Sequence, residues 1–254
     1  MLIRYLGQCG FAFQFKSVCL VTDPYLSDYV DKNCSDDQLS WVRAYPPPLT
    51  LKEVKPDVIL ISHGHVDHLD PWTLGPYAQE VPAVPIVVPA LVRTIGEGFG
   101  FENVIPAFAE KTIRHGDLTI TPIPCAHTEI HYDADGNCCE LSYFIECEGV
   151  RIFFAGDMSL YPGVAERVEA FAPDIVALPV NGRSDRLTAL NVIGNLNHVE
   201  AIQLAKQCRA RLLIPMHHDL YSVNGCDPEI VRKAADAQGV PILSVRPGDS
   251  YHFE

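Results

Sequence analysis

A short segment near residue 65 concentrates side chains that bind metals. The segment ISHGHVDHLD places His63, His65, Asp67 and His68 directly after an apolar run typical of a buried strand. Residues two apart in an extended chain point to the same side, so His63 and His65 can meet at one point. We expect Asp67 and His68, where the chain turns toward a helix, to reach a second point nearby. Imidazole and carboxylate ligands suit Zn, Mn or Fe better than Ca or Mg. A His-rich surface loop is the alternative, which so dense a cluster at a strand end disfavours.

Three later segments also place polar side chains at the ends of apolar runs. LLIPMHHDLY carries His217 and His218 side by side, and neighbours in an extended chain point to opposite faces, so we expect only one of them at a site. Asp157 closes the run RIFFAG, where a carboxylate needs a cation or hydrogen-bond donors nearby. His127 follows PIPCA, and His131 four residues later is its alternative.

These segments, in this order, resemble the signature of the metallo-β-lactamase-fold hydrolases. HGHVDH matches the family's HxHxDH motif, and PIPCAH, FFAGD and IPMHH match its later ligand segments. Asp23, in VTDP, matches an aspartate that orients a ligand without binding the metal. The resemblance implies an α/β fold, a four-layer αββα sandwich of two mixed β-sheets with pseudo-two-fold halves. It covers nearly the whole chain and predicts a single domain over residues 1–254.

The resemblance also implies two divalent metal ions, Mn or Zn, with Fe as a further candidate. It assigns one metal to His63, His65 and His127, the other to Asp67, His68 and His217, and a bridging position to Asp157. Two such ions would lower the pKa of a bridging water, and the resulting hydroxide would attack a carbonyl carbon or a phosphorus. Asp67, His68 and Asp157 are the predicted catalytic residues.

The final ligand is predicted to be His217, because it lies two residues after Pro215, where the family's last ligand falls. Alternation then turns His218 away from the metal. His218 and Asp219 are predicted to lie beside the ligands, as orienting or substrate-facing groups.

Within this fold, several segments are similar to the L-ascorbate-6-phosphate lactonases. These are YLGQCGFAFQF, HGHVDHLD and LLIPMHHDLYSVNGCDPEIV. The finer resemblance implies a cytoplasmic enzyme that hydrolyses the lactone of a sugar-acid phosphate, with Mn as the metal. A phosphodiesterase or nuclease of the same fold and a mononuclear iron dioxygenase stay open as alternatives, since their ligand types overlap. The sequence contains neither a GxSxG nucleophile elbow nor a Gly-rich phosphate-binding loop. No motif therefore supports a serine nucleophile or a phosphate-loop enzyme as an alternative.

A phosphorylated substrate would need positive groups at the rim of the site. NGRSDRLT offers Arg183 and Arg186, whose guanidinium groups suit phosphate, although two solvated loop arginines are an equal alternative. Asn181 and Tyr161 are further candidates for substrate contact. His198, at the first turn of a helix, is predicted to be structural or to face the substrate.

Composition limits the partners. The 254 residues carry a net charge of −13, which argues against a nucleic-acid partner but allows a small anionic substrate beside bound metals. No apolar run reaches the ~20 residues of a membrane helix, and the N-terminus does not read as a signal peptide. We therefore predict a cytoplasmic protein without a membrane partner, and leave a homo-oligomer open. The nine cysteines, an odd number without a CxxC pair, are expected to be reduced.

The elements that must position these side chains are mostly strands, predicted from apolar or alternating runs. The runs are LIRYLG, FAFQF, SVCLVTD, DVILIS, PIVVP, DLTITPIP, LSYFIEC, VRIFFAGD, DIVALPV, ARLLIP, PILSVR and SYHFE. Helical periodicity predicts helices over about 89–97, 161–171, 198–209 and 228–238.

Two further patterns concern the arrangement of these elements. KPDVILIS at 55–62 resembles APDIVALP at 172–179, which favours two related halves. Residues 24–50 form the longest irregular stretch, and its aromatic residues predict a lid that packs on the rest of the protein.

Overall fold

The computed structural model describes all 254 residues, in thirteen strands and eight α-helices. The strands are β1 (Leu2–Gly7), β2 (Gly10–Gln14), β3 (Cys19–Thr22), β4 (Val58–Leu60), β5 (Ile86–Pro89), β6 (Val104–Ala107), β7 (Ile113–His115), β8 (Leu118–Pro124), β9 (Leu141–Cys147), β10 (Val150–Phe154), β11 (Ile175–Pro179), β12 (Leu212–Met216) and β13 (Ser250–His252). The helices are α1 (Tyr29–Asn33), α2 (Leu51–Val54), α3 (Pro71–Glu80), α4 (Arg93–Phe99), α5 (Val164–Phe171), α6 (Asp185–Thr188), α7 (His198–Gln207) and α8 (Pro228–Gln238).

The strands form two mixed sheets. The seven-stranded sheet has the order β13-β1-β2-β3-β4-β5-β6, and the six-stranded sheet has the order β12-β11-β10-β9-β8-β7. Strands β3 to β6 are parallel in the first sheet and β10 to β12 in the second, while the other pairs are antiparallel. Parallel strands end at the same edge, so the loops after β3, β4, β10 and β12 can share one site.

The core explains why the central strands are apolar on both faces. In β4, Val58 and Leu60 join the core between the sheets, whereas Ile59 packs outward on the side of α3. Helices α5, α7 and α8 cover the second sheet through residues such as Val168 and Val231. This is the predicted four-layer αββα sandwich. One domain over residues 1–254 is our interpretation of the continuous core.

The two halves repeat one local structure, which explains the similarity between KPDVILIS and APDIVALP. Each segment begins with a left-handed residue that ends a helix, Lys55 (φ 56°) and Ala172 (φ 51°). Two residues later an aspartate accepts a hydrogen bond from the backbone of the neighbouring parallel strand, Asp57 from β3 at 2.7 Å and Asp174 from β10 at 3.0 Å. The predicted pseudo-two-fold relation therefore has a physical counterpart.

Four elements differ from the sequence-based expectation. The segment PILSVR, predicted as a strand, makes only an isolated bridge between Ile242 and Leu213. The edge strands β6 and β7 were not predicted, because they are short and only partly buried. A helix was expected after Asp67 and His68, but the range of α3 was not predicted, because the segment contains Pro71 and Pro76. None of the helices combines the length and the apolar character needed to cross a membrane.

Candidate metal centre

Four segments, which follow β4, β8, β10 and β12, bring the predicted ligands to one edge of the sandwich. The segment after β3 brings Asp23 to the same edge. The seven predicted ligands are His63, His65, Asp67, His68, His127, Asp157 and His217, and their ligand atoms form overlapping groups. Their roles as metal ligands stay predictions, which the following distances support.

The first group contains His63, His65, His127 and Asp157, whose ligand atoms all lie within 4.8 Å of one another. His63 Nε2 lies 2.9 Å from His65 Nδ1, and His127 Nε2 lies 3.5 Å from Asp157 Oδ2. In a tetrahedral site with bonds near 2.1 Å, ligand atoms are roughly 3.4 Å apart. The group therefore has the spacing of a zinc-type site.

The second group contains Asp67, His68 and His217. Asp67 Oδ2 lies 3.6 Å from His68 Nε2 and 3.5 Å from His217 Nε2. Asp157 stands between the groups, because its Oδ1 lies 3.3 Å from His68 Nε2 and its Oδ2 lies 3.4 Å from His217 Nε2. This is the position expected of a bridging carboxylate.

One buried atom tests whether these residues fit a metal. His68 Nδ1 lies 2.7 Å from Asp23 Oδ2 and donates its proton there, so Nε2 is the ring nitrogen that faces the site. His68 Nε2 is buried and has no hydrogen-bond partner. A buried imidazole nitrogen that faces two carboxylates needs a cation there, a proton or a metal ion, so the donor set fits a divalent metal.

Asp23 makes the contacts expected of an orienting group. Its carboxylate accepts hydrogen bonds from the Ser62 backbone N–H at 2.7 Å and from the Ser62 hydroxyl at 2.6 Å, besides the His68 bond. Ser62 Oγ lies 2.9 Å from His63 Nδ1, which directs His63 Nε2 to the site. Such contacts fix the tautomer and the ring orientation of a ligating histidine.

The adjacent histidines point apart, as predicted. His217 adopts a left-handed backbone (φ 56°), donates its N–H to Gln8 O at 3.0 Å and turns its ring into the site. The His218 ring stacks on Tyr5, with ring centroids 6.2 Å apart. Asp219 accepts hydrogen bonds from the hydroxyls of Tyr5 at 2.8 Å and Tyr45 at 2.7 Å. Neither His218 nor Asp219 orients a predicted ligand through a hydrogen bond, so the structure corrects that expectation.

Sequence reasoning missed two residues of the β1–β2 turn. Gln8 Nε2 donates to Asp67 Oδ2 at 2.8 Å and lies 3.0 Å from His217 Nε2. Cys9 Sγ lies 3.8 Å from Asp157 Oδ1. The sequence offers one signal for these two residues. Gln8 and Cys9 lie between Gly7 and Gly10, at a turn between two buried strands.

Residues 24–50 pack over the site, as predicted for a lid. The Tyr25 hydroxyl lies 2.7 Å from the Tyr221 hydroxyl, and the Trp41 ring meets the Tyr221 ring edge-on with centroids 5.3 Å apart. The backbone of Ala44 donates to Leu220 O at 2.8 Å. The lid is therefore tied to the segment that follows His217.

A cavity of about 380 Å³ opens onto the ligands beneath this lid. Its lining residues are Val30, Cys34, Trp41, Gly64, His65, Val66, Asp67, His127, Asp157, Asn191, Val192, Ile193, His217, Tyr221 and Asn224. Ligand side chains form one end, and mostly apolar side chains form the rest.

The two arginines predicted for phosphate binding do not line this cavity. Arg183 donates to Asn195 O at 2.7 Å and to Glu200 Oε1 at 2.6 Å. Arg186 is exposed on α6. Their role in substrate binding has no structural support.

The other three substrate candidates also lie outside the lining. The Tyr161 hydroxyl donates to Pro124 O at 2.5 Å, and His198 is the first residue of α7. Asn181 lies directly behind the lining and donates from Nδ2 to Asn224 Oδ1 at 3.0 Å.

The buried ligands have strongly shifted pKa values in the metal-free protein. Burial alone would lower the pKa of His217, but the carboxylates of Asp157 and Asp67 outweigh it and raise the pKa to about 10. The same carboxylates raise the pKa of His68 against its burial. Burial and neighbouring imidazoles lower the pKa of His63. The second group therefore holds protons that a metal would replace.

Metal binding is expected to release protons at about pH 8. The pKa of His217 is raised to about 10, so its imidazole stays protonated at that pH, and the release from His217 fades as the pH rises through about 10. The same carboxylates shift the pKa of His68 in the same direction. Calorimetric titration in two buffers of different ionisation enthalpy measures the number of protons. We expect about one or more per chain.

The matched variants for this measurement are His217→Ala and His252→Ala. His252 is exposed on β13, so its replacement is expected to leave the release unchanged, whereas His217→Ala reduces it. Equal heats in both buffers would contradict the assignment.

A family profile described as "Beta-lactamase superfamily domain" matches residues 20–218, which include every predicted ligand. The chain belongs to this superfamily. A relative named "UPF0173 metal-dependent hydrolase", from Archaeoglobus fulgidus, is 27% identical over 100% of this chain and 99% of its own length. The chain is a metal-dependent hydrolase of the β-lactamase superfamily, as predicted.

Two solved structures share the superfamily fold. A possible metal-dependent hydrolase from Veillonella parvula has a TM-score of 0.79 at 14% identity, over 99% of this chain and 98% of its own. An isothiocyanate hydrolase from Delia radicum gut bacteria has a TM-score of 0.77 at 15% identity, over 100% and 99%. None of these three proteins is named as an ascorbate-6-phosphate lactonase, so the finer resemblance gains no support from them.

Proposed function

We propose that this hydrolase uses two divalent metal ions to cleave a small acyl-type electrophile, with a lactone as the finer candidate. The observation that carries the proposal is the position of Asp157, whose carboxylate oxygens lie 3.3 to 3.5 Å from His68, His127 and His217. A carboxylate shared by two ligand groups is the arrangement of a two-metal site. Mn, Zn and Fe all suit these ligands.

The residues of the chain prepare the site for this reaction. Two divalent ions would supply Lewis acidity and a water with a lowered pKa. Asp157 fixes the spacing between the two ligand groups, Asp23 holds the tautomer of His68, and Gln8 holds the Asp67 carboxylate. The lid covers part of the cavity through Trp41, which lines it and packs on Tyr221.

The alternatives have weaker support. A nuclease or phosphodiesterase would need cations along its nucleic-acid path, but no Lys or Arg lines the cavity and the net charge is −13. A mononuclear iron enzyme would not need the second group of Asp67, His68 and His217. A cytoplasmic location and a homo-oligomer stay predictions from the sequence.

The test is metal removal followed by reconstitution. After chelation, activity on γ- and δ-lactones, isothiocyanates and activated esters is expected to fall at least about 100-fold, and to return with Mn²⁺, Zn²⁺ or Fe²⁺. Metal analysis is expected to find two ions per chain.

A phosphodiester and a sugar-phosphate lactone complete the substrate panel. Hydrolysis of the phosphodiester alone would replace the acyl proposal with the nuclease alternative. Activity that survives complete metal removal would contradict the metal mechanism.

A further inference from the structure

We propose that the cavity selects an uncharged substrate that carries an apolar group, and that the Asn224 amide donates a hydrogen bond to its polar end. This inference rests on the proposed hydrolysis and adds the class of substrate. It replaces the small anionic substrate expected from the sequence.

The part of the cavity away from the metal ligands offers no partner for an anion. No Lys or Arg belongs to the lining, and its only carboxylates, Asp67 and Asp157, belong to the predicted metal site, where bound ions would offset their charge. Arg183, which the sequence suggested as a phosphate-binding residue, forms an ion pair with Glu200. An anionic group away from the metal ions would therefore lose its hydration without gaining a cationic partner.

The apolar part of the lining comes from three separate segments. The lid contributes Val30 and Trp41, the ligand loop contributes Val66, and the loop after α6 contributes Val192 and Ile193. Ile193 keeps 37% of its surface exposed. Apolar side chains that converge on a concave site bind the apolar surface of a ligand. A bound substrate can therefore bury the exposed surface of Ile193.

A chain of three amides directs a neutral donor into the cavity. Asn195 Nδ2 donates to Asn181 Oδ1 at 3.1 Å, and Asn181 Nδ2 donates to Asn224 Oδ1 at 3.0 Å. Asn195 is fully buried, and in this orientation its Oδ1 has no hydrogen-bond partner. The NH₂ group of Asn224 has no protein partner, and Asn224 lines the cavity. It is placed to donate to a substrate oxygen or nitrogen, and Asn181 is its positioning residue.

The first test compares lactones of one ring size in the metal-loaded enzyme. We expect kcat/KM to rise about threefold for each methylene added to an alkyl substituent, over the first few methylenes. A lactone that carries a phosphate in place of the alkyl group is expected to react at least about tenfold more slowly. Faster hydrolysis of the phosphorylated lactone would overturn the inference.

A pair of variants locates the selectivity. Ile193→Lys is expected to lower kcat/KM for the alkyl lactone about tenfold and to raise it for the phosphorylated lactone. Ile230→Lys is the matched control, because Ile230 is 51% exposed on α8 and lies outside the lining. Equal effects of the two variants would exclude Ile193 from the binding surface.

A binding measurement separates this inference from the proposed hydrolysis. Lactams resemble the lactones but resist hydrolysis, and their binding can be followed by Trp41 fluorescence in a Trp72→Phe background. We expect the alkyl lactam to bind at least about tenfold more tightly than its phosphorylated counterpart, and Asn224→Leu to weaken its binding about fivefold.

The outcomes of the two assays are distinct. If the alkyl lactam binds more tightly but no lactone is hydrolysed, the proposed hydrolysis fails and the substrate class stands. Tighter binding of the phosphorylated lactam, or no binding of the alkyl lactam, overturns the substrate class. Unchanged binding in Asn224→Leu removes the donor role of Asn224.

Discussion

Replacing Asp157 with asparagine is expected to reduce the bound metal to at most one ion per chain and kcat/KM by at least about 1,000-fold. Asparagine has nearly the same shape but lacks the negative charge. Asp157 is the only carboxylate within 3.5 Å of His68, His127 and His217 together, so both metal groups lose their shared anion. Metal analysis and steady-state kinetics check both expectations.

The matched control for this substitution is Asp117→Asn, which removes the same charge from an exposed position between β7 and β8. It is expected to keep two metal ions and full activity. Two tightly bound ions in Asp157→Asn would rule out Asp157 as the bridging ligand.

Gly156→Ala is expected to destabilise the metal-free protein by about 3 kcal/mol and to weaken metal binding about tenfold or more. Gly156 has a φ of +62°, and an added Cβ would lie 2.7 Å from Ser62 Cβ. Ser62 holds Asp23 and His63, so relief of the overlap shifts either these contacts or the adjacent Asp157. Urea unfolding and calorimetric metal titration measure the two effects.

The variant Gly116→Ala separates the cost of a left-handed backbone from the cost of steric overlap at the added Cβ. Gly116 has a similar φ of +56°, but a Cβ there would meet nothing within 4 Å. Its substitution is expected to cost only about 1 kcal/mol and to leave metal binding unchanged. Equal losses in the two variants would show that contact with Ser62 has no energetic consequence.

The predicted ligands could be found from the sequence because metal ligands are rare residue types placed at strand ends. HGHVDH carries four of them within six positions, and the family's spacing after Pro215 selected His217 rather than His218. Gln8 and Asn224 could not be found in this way, since each reaches the site through tertiary packing and neither belongs to a spaced motif.

The secondary structure shows the same difference between features set by the local sequence and features set by tertiary packing. Strands buried on both faces, such as β4 and β11, are continuous apolar runs and were predicted. A helix was expected after Asp67 and His68, but the range of α3 was not predicted, because DPWTLGPYAQE combines Pro71 with a second proline, Pro76, inside the helix. Pro71 is tolerated at the first turn, where its missing N–H would have no partner. The tertiary packing of Leu74 and Tyr77 then outweighs the weak local preference.

The Asp219 carboxylate joins three parts of the chain that are far apart in sequence. It binds Tyr5 of the first strand and Tyr45 of the lid, and it lies two residues after His217. The lid is therefore fastened, through Tyr45 and the Ala44 backbone, to residues 219 and 220 of the loop that carries His217. A movement of the lid that breaks these bonds would act on the same loop, so access to the cavity and the position of a predicted metal ligand depend on shared contacts.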